Sequence, residues 1–166
     1  MLARRHLLTL ALLSALCDRA LATAQIPEVI LLDGNTEMLF SEPLNQYLLQ
    51  ANHLALLEPL LSKEMCSGSW RDYRGTWEIR DGRLYLSRLE TDPCSSEPKE
   101  IPLHSLFIAA SGPVFAGWYT GTLIVPRGKV IRGVHMGYQS GYEWYVILTV
   151  MKGKVVDRRE TAKQPE

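Results

Sequence analysis

The residues best suited to acid–base chemistry are His135 and Glu143, which flank a predicted hairpin turn at 139–141. Across that turn His135 could act as a base oriented by Glu143, with Tyr138 or Tyr142 as the acid. A two- or three-residue turn leaves His135 only a diagonal neighbour of Glu143. These residues favour a small hydrolase or a carbohydrate-active enzyme as the alternative function of the chain.

Aromatic side chains provide a second candidate site. Half of the 14 aromatic residues lie between positions 115 and 145, interspersed with glycines. The candidate binding residues are Trp118, Tyr119, Tyr138, Tyr142, Trp144 and Tyr145. An exposed platform of such rings would stack on a carbohydrate or anchor a protein partner. The alternative is that these rings fill the core of a small sheet.

Established catalytic and cofactor motifs are absent from the sequence. It contains no GxSxG elbow, HExxH helix, phosphate loop or dinucleotide fingerprint. The four histidines are scattered, and no CxxC pair accompanies them. The sequence therefore predicts neither a cofactor nor a metal site.

The N-terminus resembles a signal peptide. Arg4 and Arg5 precede an apolar run over 7–16, which is too short to cross a bilayer. Cleavage after Ala24 is expected, with Ala22 as the second choice, so residues 1–24 form the predicted leader. The paired arginines leave twin-arginine export open beside general secretion. The sequence thus predicts a bacterial protein that is periplasmic or secreted, with no membrane span in the mature chain.

Charge and length limit the classes of function that the chain can have. The 166 residues include 18 basic and 18 acidic side chains, and 46% of the chain is apolar. The leader removes three basic residues and one acid, which leaves a mature net charge of −2. A nucleic-acid protein needs a basic surface, so this class is excluded. One globular domain over 25–157 is expected.

The mature chain retains two of the three cysteines, Cys66 and Cys94. An even pair in an exported chain favours a disulfide over two free thiols. Closing this loop would stabilise the fold by roughly 3.5 kcal/mol in the chain-entropy model.

Turn signals and periodicity predict an α+β domain, mainly antiparallel. Residues 29–40 form a hairpin around Asp-Gly-Asn, a helix covers 42–52, and 53–61 is a helix or a buried loop. In the next hairpin, Asp81 and Gly82 make a type I′ turn that places Trp77 opposite Leu86.

The C-terminal half is predicted to be mostly β. A surface loop over 90–100 precedes strands at 122–125, 129–138, 142–150 and 154–157, and 158–166 forms a charged, flexible tail. Several of these strands carry apolar residues on both faces. This pattern indicates central strands of a meander or a curled, barrel-like sheet.

Two blocks of sequence resemble an uncharacterised bacterial family. The first is WRxYxGTWEIxDGxLYL at 70–86. The second comprises FAGW at 115–118, GTL at 121–123, VPRGK at 125–129, HMGY at 135–138 and YE at 142–143. The resemblance covers about 29–156 and implies no activity or ligand. The sequence as a whole favours a non-enzymatic binding protein, such as an inhibitor or an immunity protein, whose ligand and oligomeric state it leaves open.

Overall fold

A computed structural model describes residues 23–64 and 66–164. The predicted leader falls almost wholly on 1–22, outside the described residues. The described chain is α+β and mainly antiparallel, as predicted. Its strands are Glu28–Leu32 (β1), Asn35–Leu39 (β2), Tyr73–Arg80 (β3), Arg83–Thr91 (β4), Lys99–Glu100 (β5), Val114–Phe115 (β6), Gly121–Arg132 (β7), Gly141–Met151 (β8) and Lys154–Thr161 (β9). Its α-helices are Leu44–Leu48 (α1) and Leu54–Leu57 (α2).

The N-terminal hairpin forms as predicted, and the helix after it is shorter than expected. β1 and β2 pair through a turn at Asp33 and Gly34, which both have positive φ. The helix predicted over 42–52 ends at Leu48, because Ala51 and Asn52 adopt left-handed backbone conformations. Residues 53–61 are mostly helical, since α2 continues into a 3-10 helix.

The central hairpin confirms the predicted register. Trp77 lies opposite Leu86, and Ile79 lies opposite Leu84. A bulge between Thr76 and Trp77 then shifts the pairing by one residue. β3 also pairs in parallel with β1, so the N-terminal strand lies directly against the central β3–β4 hairpin.

The predicted surface loop starts later than expected. Glu90 and Thr91 belong to β4 and are buried, and β5 pairs back against them. The loop proper is therefore confined to residues 92–98, with Cys94 exposed within it.

Two predicted turns in the C-terminal half are wrong. Pro126 to Gly128 were expected to separate strands, but β7 continues through them with an irregular pairing beside Gly128, whose φ is +77°. Arg132 then pairs with Gly141, so the connection to β8 is a loop over 133–140 rather than a tight turn at 139–141. Val130, expected to be covered, is exposed.

The flexible tail predicted from Arg158 is also corrected. β9 runs to Thr161 and pairs with β8 along its length. The Arg158 guanidinium hydrogen-bonds both Asp33 carboxylate oxygens at 2.8 and 2.6 Å, and it lowers the pKa of Asp33. The last strand is thus fixed to the first hairpin.

All the strands belong to one sheet, whose main path runs β2-β1-β3-β4-β9-β8-β7. The two edges approach each other, because the Phe40 N–H donates to the Ile124 carbonyl at 2.8 Å and Ser41 Oγ bonds β7 backbone groups. The sheet therefore curls around its core. Both faces of β8 are covered, since Leu148 lies in the core and Ile147, on the other face, is also buried.

Candidate functional site

The predicted catalytic residues do not form a pair. His135 is exposed in the 133–140 loop. Glu143 lies on β8, where its carboxylate accepts a hydrogen bond from the Lys129 N–H at 2.9 Å. Within the part of the chain that the structure describes, no hydrogen bond or ion pair connects His135 to Glu143 or to Tyr138.

The predicted binding aromatics lie in separate places. Tyr119 and Tyr145 are buried. Trp118 is half-buried, and its ring stacks on Phe107 with a 5.2 Å centroid separation. Trp118 also donates from its indole nitrogen to the Pro43 carbonyl at 3.1 Å. These contacts are structural, because they hold the irregular segments against the sheet.

The remaining aromatics border the 133–140 loop and β7. Tyr138 stacks on Phe40 at 5.0 Å, and Tyr142 meets the same ring edge-on. Trp144 lies beneath the Arg127 guanidinium, 5.3 Å from the ring centroid. The six candidate residues therefore do not form one continuous platform.

The main polar feature of the fold centres on Glu28, which sequence reasoning missed. Glu28 is completely buried, and its carboxylate accepts hydrogen bonds from Arg71 Nη1, from the Gly75 N–H at 2.8 Å and from Trp77 Nε1 at 2.8 Å. Burial raises the pKa of Glu28 to about 7 and outweighs the lowering effect of Arg71, Trp77 and Gly75. A carboxyl group with donors on both oxygens can be accommodated in this interior.

The same cluster extends through Arg71 to the first helix and the 133–140 loop. Arg71 Nη2 donates to the Tyr138 hydroxyl at 3.2 Å, and Arg71 Nη1 lies 3.5 Å from a Glu42 carboxylate oxygen. The Tyr138 hydroxyl donates to Glu42 at 3.2 Å. Asn45 donates to Glu42 at 2.7 Å and accepts from the Tyr73 hydroxyl at the same distance. We call these residues, together with Glu28, Gly75 and Trp77, the Glu28 cluster.

Local sequence explains why this cluster can form. β1 alternates, so Glu28 shares the inward face with Ile30 and Leu32. A Cβ at Gly75 would lie only 2.3 Å from Glu28 Oε2, so the close approach requires glycine. The WRxYxGTW block therefore supplies three of the contacts to Glu28. The sequence signal that could have revealed the Glu28 cluster is an acidic residue on the inward face of an otherwise apolar strand.

A perturbed carboxyl pKa often marks an active site, but the geometry here is structural. Every Glu28 oxygen already has a protein donor, and the side chain has no exposed surface. A substrate could reach neither oxygen without breaking the cluster. Its role is to fix the segment around Arg71 and the 133–140 loop against β1.

Directly beside this cluster lies an apolar groove of about 440 Å³. We call it the α1–α2 groove. Its lining residues are Asn45, Leu48, Leu49, Leu54, Glu58, Leu61, Trp70, Arg71, Asp72 and Tyr73. Leu49 is 85% exposed and Trp70 is 65% exposed, although both are large apolar side chains. Their convergence with Leu54 creates an apolar patch of the kind that marks interaction sites.

Three contacts hold the wall that carries Trp70. The Trp70 N–H donates to Gln25 Oε1 at 3.1 Å, and Ile26 N–H donates to the Gly68 carbonyl at 2.7 Å. Cys66 and Cys94 form the predicted disulfide, with a Cα–Cα separation of 5.8 Å. The bond is compatible with an oxidising extracellular compartment.

Two carboxylates line the groove. Glu58 and Asp72 are both lining residues, and among residues 23–64 and 66–164 neither carboxylate forms an ion pair or a side-chain hydrogen bond. Arg71 is the one basic lining residue, and its guanidinium is paired with Glu28 and Glu42. The groove therefore combines exposed apolar side chains with two carboxylates that have no cationic partner among the described residues.

The described residues hold no group of three or more histidine, cysteine, aspartate or glutamate side chains that could hold a metal ion. They also contain no helix that is both long and apolar enough to cross a membrane.

Comparison of the chain with protein-family models, with curated proteins and with solved structures finds no match. The resemblance of the two sequence blocks to an uncharacterised family therefore stays a prediction.

Proposed function

We propose that the protein is an exported, non-enzymatic binding protein that takes an apolar segment of a partner protein into the α1–α2 groove. The observation that carries this proposal is the exposure of Leu49 and Trp70 on one groove. Trp side chains are enriched where interfaces gain most of their binding energy. Exposure of the apolar Leu49 and Trp70 side chains to water raises the free energy of the unbound protein. A partner that covers both side chains removes this cost.

The rigidity of the groove wall supports the same function. A preformed site loses little conformational entropy on binding, so more of the contact energy contributes to affinity. Here the disulfide and the Glu28 cluster hold the segment that carries Trp70. A hydrolase that uses His135 and Glu143 has less support, because the two side chains have no contact that would orient a base.

Export to the periplasm or the medium is part of the proposal. The basic and apolar leader sequence supports it, and the Cys66–Cys94 disulfide is consistent with it. Intact-mass spectrometry of the protein recovered after expression in a bacterium is expected to show a chain that begins at Gln25, with a free or a cyclised N-terminal glutamine. An intact Met1 terminus on recovered, disulfide-bonded protein would contradict export.

Site-specific photocrosslinking tests the groove. A benzoylphenylalanine at Leu49 is expected to crosslink a specific partner in cells that produce the protein. The control places the same residue at Ile108, which is 99% exposed and lies on a different loop. The captured protein must then bind the purified protein directly, and Leu49→Ser must weaken that binding at least tenfold.

Two results would contradict the proposed groove. If position 108 captures the same proteins as position 49, the groove is not the interaction surface. Unchanged affinity of the Leu49→Ser variant for the captured protein would lead to the same conclusion. Circular dichroism of each variant verifies that the fold is intact.

A further inference from the structure

We infer that the partner segment bound in the α1–α2 groove is basic, with Lys or Arg residues adjacent to its apolar anchor. This inference rests on the proposed function and specifies the chemistry of the partner. It follows from the two carboxylates at the groove, Glu58 and Asp72, and from the state of the one cation that lines it.

Charge complementarity requires charges that are available to a partner. The Glu58 side chain is exposed and that of Asp72 is half-buried, and the described residues provide no cation for either. The Arg71 guanidinium is buried and already contacts Glu28 and Glu42 within the Glu28 cluster, so it is not available to a partner. A cationic segment would therefore gain two ion pairs, whereas an acidic segment would meet two like charges.

The lining residues offer a partner both apolar and charged contacts. Leu49, Leu54 and Trp70 supply the apolar contacts, while Glu58 and Asp72 lie among the same lining residues. An apolar anchor flanked by positive charges can thus make both contacts at once. Exposed ion pairs of this kind are each worth about 1.4- to 5-fold in affinity, and they weaken as salt is added.

Three labelled 12-residue peptides test the inference by fluorescence anisotropy. All three have leucine at the same positions. The remaining positions are all Lys in the first peptide, all Gln in the second and all Glu in the third. The Leu/Lys peptide is expected to bind most tightly and the Leu/Glu peptide most weakly. Leu49→Ser should weaken the Leu/Lys and Leu/Gln peptides together, because it removes an apolar contact that both use.

Charge variants identify the source of the preference. Glu58→Gln with Asp72→Asn is expected to weaken the Leu/Lys peptide about 2- to 25-fold and to leave the Leu/Gln peptide within twofold. Asn tolerates the left-handed backbone of Asp72, so this variant should fold normally. Glu97→Gln with Asp157→Asn is the matched control, because it removes two exposed carboxylates outside the groove and changes the net charge equally.

Each alternative outcome has one meaning. Equal binding of the three peptides, lost in Leu49→Ser, would overturn the basic partner and leave the proposed function standing. Equal losses in the two charge variants would also overturn it, since the preference would then arise from net charge alone. No binding, or binding indifferent to Leu49→Ser, would overturn both proposals. Self-association abolished by Leu49→Ser in sedimentation velocity would identify a second copy as the occupant and overturn both.

Discussion

Replacing Gly75 with alanine should disrupt the Glu28 cluster, because the strand has no room for a Cβ at this position. The added Cβ would lie 2.3 Å from Glu28 Oε2 and 2.9 Å from Trp77 Nε1. Both distances are shorter than a nonbonded contact allows, so the strand or the carboxylate must move. Because Glu28 and Trp77 are completely buried, neither the strand nor the carboxylate can move without loss of contacts.

The expected cost follows from two contributions. Overpacking of a closed interior costs about 1–3 kcal/mol. Displacement of the carboxylate also weakens its 2.8 Å hydrogen bond from the Gly75 N–H, and a bond to a charged group contributes about 1.5–3 kcal/mol. Gly75→Ala should therefore lower the free energy of unfolding by about 3–5 kcal/mol.

Urea unfolding followed by tryptophan fluorescence measures this effect, since Trp77 belongs to the cluster. Assuming an m-value of about 2 kcal/mol/M, the midpoint should fall by about 2 M. Gly112→Ala is the control, because its added Cβ would meet no atom within 4 Å. If Gly75→Ala unfolds within 0.5 kcal/mol of the wild type, the close packing described for Glu28 does not exist.

Three further predictions concern the same region. The raised pKa of Glu28 means that the folded protein binds a proton more tightly than the unfolded chain, so unfolding free energy should fall by about 1–3 kcal/mol between pH 4.5 and 7. Glu28→Gln should abolish this slope, and a wild-type stability that rises over the interval would contradict it. Replacing both Cys66 and Cys94 with alanine should lower the free energy of unfolding by about 3–4 kcal/mol, and thiol titration of the denatured, unreduced exported protein should find no free thiol. Tyr138→Phe removes a hydroxyl that bonds Glu42 and Arg71, so it should lower the free energy of unfolding by about 1 kcal/mol, measured by thermal unfolding.

The amino-acid sequence by itself determined the local features of the fold. Asp-Gly at 33–34 and at 81–82 predicts tight hairpin turns, because these residues accept positive φ, and both turns form. Alternation along 75–87 predicts the inward face of that hairpin as well as its register near the turn. The remaining cysteine pair predicts the disulfide. Each of these inferences depends on neighbours in the chain or on counting, so no tertiary information was needed.

The predictions from sequence were wrong where a contact with a distant segment overrides the local residue pattern. Pro126 and Gly128 are typical of a strand break, yet β7 continues through them because β8 pairs with it on both sides of the irregularity at Gly128. Arg158 begins a charged run that reads as a frayed tail, but Asp33 in the first hairpin fixes it. The aromatic-rich region likewise divides among separate clusters, since its members face different neighbours.

Only the tertiary structure decided the Glu28 cluster and the α1–α2 groove. The Glu28 cluster joins β1, the segment around Arg71 and the 133–140 loop, and these are distant in the chain. The α1–α2 groove likewise combines Leu49 with Trp70 across the intervening helical segment. Composition and periodicity describe which side of a strand or helix is apolar, but they do not specify which distant segments pack together. In the folded chain, the hydrogen bond from the Tyr73 hydroxyl to Asn45 joins the two walls of the groove, which lie 28 residues apart in the sequence.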